Sequence, residues 1–138
     1  MLRGNQKADL LRKVPLFERC SKRELAEIGT LADEVDLREG KVLIREGSRG
    51  REFFVLLDGE VDVSKDGKRI NRLGPGDFFG EIALVARSPV RTATVTATSP
   101  VRALVVTAQN FRRLLDRSPD IKLKVLEALA ERLGPAGI

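Results

Sequence analysis

Histidine, tyrosine and tryptophan are absent from this 138-residue chain, and it has one cysteine. Without histidine there is no Ser-His-Asp or Cys-His nucleophile, no histidine acid–base chemistry and none of the usual His-based metal sites. The lone Cys20 excludes an internal disulfide framework and a multi-cysteine zinc site. No apolar run approaches the ~20 residues that a membrane-spanning helix needs. The first residues, MLRGNQKADLLRK, carry charge but not the apolar centre of a secretory signal. Twelve Gly and six Pro are near the average share, so collagen-like and low-complexity classes fall away. What remains is 42% hydrophobic and 33% charged, which suits one domain (1–138) with a single core. These exclusions leave a cytoplasmic binding module, with no catalytic residues, no metal and no cofactor, as the expectation.

The net charge is +5 and the pI about 9.8, which suggests an anionic partner. The excess is local. Residues 1–69 hold 15 basic and 14 acidic side chains, whereas residues 70–138 hold 10 basic and 6 acidic. Six arginines fall between Arg87 and Arg117, with Asp116 the one acid among them. Most of these read as a solvated face. A nucleic-acid surface would also want aromatic platforms or a recognition helix, and neither is visible, so DNA binding is not expected of this chain alone.

The order of elements is helix, β, helix. Leu10, Leu11 and Val14 form an apolar helical face that Pro15 should end. Ser21 and Glu24 form a capping box for a helix with Leu25, Ile28, Leu31 and Ala32 inward, closing a helical part at 6–32. Short β runs follow over 33–106: Glu34–Arg38, Val42–Arg45, Glu52–Leu57, Glu60–Lys65, Lys68–Arg72, Arg91–Ala97 and Val101–Val106. Asp58-Gly59 and Asp66-Gly67 are tight-turn pairs. Many short strands at regular spacing imply a sandwich or barrel. Helices close the chain over 107–133, the last capped by Ser118-Pro119, with Ile121, Val125, Leu126, Leu129 and Leu133 as its apolar set.

Strand periodicity breaks at Leu73-Gly74-Pro75-Gly76-Asp77-Phe78-Phe79. A short helical stretch is expected to begin at Gly80, and a strand to resume at Arg91. A glycine at a helix start lets a ligand approach the backbone closely, and first-turn N–H groups favour an anion. Arg91, about ten residues on, can fold back and grip a phosphate by charge-assisted hydrogen bonds. Glu81 would repel that phosphate, but suits a sugar hydroxyl if Arg91 offsets its charge. The plain alternative is a surface Glu81–Arg91 ion pair without a ligand, worth ~0–1 kcal/mol.

The run Phe79-Gly80-Glu81-Ile82-Ala83-Leu84 with Arg91-Thr92-Ala93-Thr94-Val95 resembles the phosphate-binding cassette of the cyclic nucleotide-binding domain family. Glu46-Gly47 with Gly50, Phe53-Phe54-Val55-Leu56, Gly59-Glu60-Val61 and Leu73-Gly74-Pro75-Gly76-Asp77 fall in that family's order, so the resemblance spans about residues 10–133. It implies a mainly β fold, an antiparallel β-roll or jelly-roll barrel flanked by N-terminal and C-terminal helices, and a cyclic AMP or cyclic GMP sensor. By the same resemblance Gly80, Ile82 and Ala83 lie at the phosphate and ribose through backbone groups, and Glu81 accepts the ribose 2′-hydroxyl. Arg91 pairs with the phosphate, and Thr92 meets the phosphate or base. Val61, Val63, Leu73 and Phe79 contact the purine, and Arg132 on the last helix caps it. A protein partner, or an output portion of the same polypeptide, would read the change. Two alternatives stand beside this one: an interaction domain of the same fold without ligand, and the N-terminal sensor portion of a transcription regulator. A histidine-dependent cupin-type metal enzyme does not fit a chain with no histidine.

Overall fold

The computed structural model describes residues 2–88 and 90–133, with the side chains of residues 132 and 133 excepted. It divides into two compact units: a helical unit of residues 1–31 with 110–138, and a β unit of residues 32–109.

In the helical unit, α1 (Gly4–Leu11) ends four residues before Pro15, and Pro15–Phe17 forms a single 3₁₀ turn. Proline can open such a turn because its missing N–H would have no partner there. α2 (Lys22–Gly29) carries the expected capping box. Glu24 N donates to Ser21 Oγ (3.2 Å) and Ser21 N donates to Glu24 Oε1 (2.8 Å). After α3 (Ala108–Arg117), α4 spans Pro119–Leu133. Phe17 and Phe111 are fully buried with ring centroids 5.6 Å apart, and burying one such side chain stabilises by ~1.5–3 kcal/mol.

The α4 stripe differs from the expected one. Ile121, Val125 and Ala128 are buried, whereas Leu126 is 54% exposed. Positions 121, 125 and 128 follow the four-then-three spacing of one helical face. Leu126 and Leu123 sit across from them, so leucine content alone misjudged which face turns inward. The expected role of Leu133 falls on a side chain outside the described residues.

The β unit holds two four-stranded antiparallel sheets. One runs β1 (Asp33–Leu37), β8 (Val101–Thr107), β3 (Glu52–Asp58), β6 (Phe78–Phe79), and the other β2 (Val42–Ile44), β7 (Thr94–Ala97), β4 (Val61–Lys65), β5 (Lys68–Leu73). This is an antiparallel β-roll of jelly-roll type with flanking helices, as the sequence implied. Between the sheets pack Ile44, Phe54, Leu56, Val61, Val95, Ala97, Val101 and Ala103. Alternation along β3 and β8 sends Phe53, Val55, Leu104 and Val106 to the opposite face, and these are buried too. A strand buried on both faces reads as a continuous apolar run, which is why Phe53–Leu57 shows no alternation.

The two turn pairs do different work. Asp66 (φ 52°) and Gly67 (φ 80°) are both left-handed, as a two-residue hairpin turn demands, and they join the paired β4 and β5. Asp58-Gly59 instead passes the chain from one sheet to the other, since β3 and β4 are not neighbours. β6 was not expected, because two residues are too few to show a period. It pairs Phe54 with Phe79 and Val55 with Phe78, and the Gly-Pro-Gly turn before it is tied to β3 by Gly76 N to Leu56 O and Leu56 N to Asp77 O (both 2.8 Å). These bonds fix where Gly80 emerges.

Candidate functional site

The site forms where three stretches distant in sequence meet: the β2–β3 loop, the residues after β6 and the residues before β7. The first and third are laced by backbone. Gly47 N donates to Arg91 O and Arg91 N to Ser48 O (both 2.8 Å), Arg49 bridges Val90, and Glu46 N donates to Thr94 Oγ1 (3.0 Å). The Arg91 backbone is thus spent on the loop rather than on a sheet, and β7 begins at Thr94. The expected strand start at Arg91 is thus corrected: Arg91 lies three residues ahead of the strand, in a segment held by residues 47–49.

From there the Arg91 side chain runs inward. It is 8% exposed, and among the described residues Arg91 is the one buried charged side chain. Its guanidinium lies against two glycines. A Cβ on Gly50 would fall 1.6 Å from Arg91 Nε, and one on Gly80 would fall 2.8 Å from Nη1. Gly80 has φ 83°, left-handed, so glycine there answers both the backbone turn and the close approach. Arg91 Nη2 donates to the main-chain oxygen of Glu52 (2.7 Å), and Nη2 lies 3.9 Å from Glu52 Oε1. Burial pulls the guanidinium below its ordinary pKa, and the Glu52 carboxylate acts against that pull. It remains a cation at neutral pH, as arginine does in proteins. Among the described residues no buried side-chain nitrogen or oxygen lacks a partner. The guanidinium N–H groups that make no protein bond therefore still reach the surface. The result is a fixed cation with outward-facing donors, whose walls are backbone. Such a place accepts a small anion by charge-assisted, paired hydrogen bonds.

The other expected residues fall around it as follows. The helical stretch is a 3₁₀ turn, Glu81–Leu84, with Gly80 ahead of it and Ala83 N donating to Gly80 O (3.1 Å). This is the short helical stretch that was expected from Gly80, a single 3₁₀ turn with Gly80 just ahead of it. Glu81 is half-buried, Ala83 is buried and Ile82 is 46% exposed. Thr92, next to Arg91, is exposed. Val63, Leu73 and Phe79 are half-buried and pack on the inter-sheet core, with Phe79 stacked on Phe54 at 5.0 Å. Val61 pairs with Leu73 across β4 and β5 but is fully buried, so it backs this apolar patch and offers no surface of its own. Arg132 lies in α4, and its side chain is outside the described residues. Gly50 and Glu52 were not singled out as site residues. Gly50 stood out as a turn residue and in the family's order but without a role at the anion, and the Arg91 contact to Glu52 links residues 39 apart. Among the described residues no group of His, Cys, Asp and Glu could hold a metal ion, and no described helix is long and apolar enough to cross a membrane.

Comparison with known proteins gives the same outline. The sequence model of the family described as "Cyclic nucleotide-binding domain" matches residues 34–118. The chain is 43% identical over 94 residues to a cAMP-dependent protein kinase regulatory subunit of Mycosarcoma maydis, a match over 63% of this chain and 17% of that protein. It is 34% identical over 113 residues to the corresponding subunit of Schizosaccharomyces pombe, covering 81% of this chain and 27% of that protein. The chain thus spans about a quarter or less of these curated relatives. Among solved structures, the N-terminal domain of a transcriptional regulator from Streptomyces coelicolor A3(2) superposes with TM-score 0.81 at 31% identity, over 94% of this chain and 92% of that one. With a match over more than half its length, and with the Gly80–Arg91 geometry in place, the chain belongs to the cyclic nucleotide-binding domain family.

Proposed function

We propose that this chain is a cyclic nucleotide sensor module that binds cyclic AMP, tolerates cyclic GMP, and catalyses nothing. One observation carries the reading: the buried Arg91 guanidinium, seated against Gly50 and Gly80 with donors still reachable. The cyclic phosphate takes those donors. Gly80, Ile82 and Ala83 lie beside it through their backbone, and Glu81 accepts the ribose 2′-hydroxyl. The half-buried Val63, Leu73 and Phe79, backed by Val61, form an apolar floor for the purine. Thr92 offers a hydroxyl that can accept from the 2-amino group of guanine, which adenine lacks. Cyclic AMP is favoured because the regulatory-subunit relatives are named for it. Arg132 caps the base by a guanidinium–π contact worth about 0.5–2 kcal/mol.

Occupancy is relayed through the terminal helices to a partner protein or to an output portion of the same polypeptide, in the cytoplasm. Calorimetry with cyclic AMP, cyclic GMP and the linear 5′ monophosphates tests the reading. Micromolar binding of a cyclic form, well above its linear counterpart, supports it. If neither cyclic form binds at that level, the chain is instead an interaction domain of the same fold.

A further inference from the structure

Glu52 stands closer to Arg91 than the anchoring of a phosphate requires. The guanidinium is already held three ways that do not use the Glu52 carboxylate: by contact with Gly50, by contact with Gly80 and by the Nη2 bond to the Glu52 main-chain oxygen. The carboxylate Oε1 is 3.9 Å from Nη2, which is beyond a hydrogen bond, so it does not orient the group. It has its own local tether, accepting from Arg51 N at 3.3 Å, and its side chain is 49% exposed. What it contributes to Arg91 is charge.

We propose that the Glu52 carboxylate is a built-in counter-charge that opposes the ligand's phosphate at Arg91 and so sets the affinity of the module. The inference rests on Arg91 being the phosphate anchor. A fixed negative charge beside the anchor offsets part of its attraction and repels an incoming monoanion, while the main-chain bond keeps the guanidinium in place. The opposition is Coulombic, so salt screens it. Such a counter-charge lets the site discharge: the cation is partly satisfied without ligand, and release leaves it with a partner nearby.

The test is Glu52→Gln, which keeps the shape, the main-chain oxygen and an acceptor for Arg51 N, and removes the charge. Glu52→Ala serves as a second variant should the first fail to fold. Glu39→Gln in the β1–β2 turn makes the same charge change at an exposed position elsewhere in the β unit. With cyclic AMP as the probe at low salt, either Glu52 variant should bind about three- to tenfold tighter than wild type, while Glu39→Gln matches wild type. The gain should shrink toward unity as salt rises from about 0.02 M to about 0.5 M. Unchanged or weaker binding by both Glu52 variants, or a gain that salt does not touch, overturns the inference while leaving Arg91 as the anchor. Failure of wild type itself to bind cyclic AMP overturns the reading beneath it.

Discussion

Gly50→Ala separates binding from stability at one methyl group. Gly50 is not among the left-handed glycines, so alanine can adopt its backbone conformation. The obstacle is Arg91, since the new Cβ would lie 1.6 Å from Nε, 2.3 Å from Cζ and 2.5 Å from Nη2. Ordinary contact needs about 3.5 Å, so the guanidinium must retreat by roughly 2 Å. That movement breaks the 2.7 Å bond to Glu52 O and takes the donors away from where a phosphate would sit. Losing one hydrogen bond to a charged group costs about 1.5–3 kcal/mol, hence about 10- to 100-fold in affinity. The fold loses that internal bond as well, so a modest fall in melting temperature is expected. Part of that cost is offset, because replacing Gly by Ala at a compatible position restores ~0.4–1 kcal/mol through the unfolded chain. Calorimetry with cyclic AMP and a thermal melt, run against Gly4→Ala, read the two quantities. Gly4 has no neighbour within 4 Å of a new Cβ and serves as the control. A Gly50→Ala protein that binds within about threefold of wild type, or one that melts far earlier, would refute the reasoning, because the guanidinium's place would then not depend on a bare glycine.

Glu81→Gln should weaken cyclic AMP binding less than Arg91→Leu does, and 2′-deoxy cyclic AMP should bind wild type and Glu81→Gln almost equally in paired titrations. Thr92→Ala should cost cyclic GMP more affinity than cyclic AMP, and a competition assay reads the ratio. In the helical unit, burial raises the Glu24 carboxyl but the Lys124 bond (2.5 Å) and the Ser21 bonds outweigh it, leaving Glu24 below its ordinary 4.5. Its contribution is therefore full above that ordinary value and fades as pH falls through the lowered one, so Lys124→Met should flatten the acid side of the melting-temperature profile.

Much of the β unit was legible because its strands are short and punctuated. Glu52–Leu57, Lys68–Arg72 and Val101–Val106 lie within a residue of the observed strands, and the Ser21–Glu24 box is a local device that needs no tertiary partner. The errors lie where distant segments decide. Residues 91–93 have strand-like composition, yet the backbone bonds of Arg91 go to the β2–β3 loop, which sequence spacing does not reveal. Leu126 looks like core, but the face of α4 is chosen by Ile121, Val125 and Ala128. In the site, Gly80 and Arg91 were readable from one continuous motif. Gly50 and Glu52 were not readable as its contacts, because they meet the guanidinium from the end of the β2–β3 loop and the first residue of β3, on the far side of β4 and β5 in sequence, where a glycine and a glutamate carry no local mark of that role.

The central claim is that Arg91 holds the phosphate of a cyclic nucleotide. It is tested most directly by titrating cyclic AMP into wild type and Arg91→Leu side by side in a calorimeter, with circular dichroism to show that both are folded. About one to two hydrogen bonds to a charged group are at stake, so the account predicts a loss of about 2–4 kcal/mol, roughly 30- to 1,000-fold in Kd, with the spectrum unchanged. Arg87→Leu, at an exposed position, should bind as wild type does. Equal affinity in wild type and a folded Arg91→Leu protein, or a larger loss from Arg87→Leu, would contradict it.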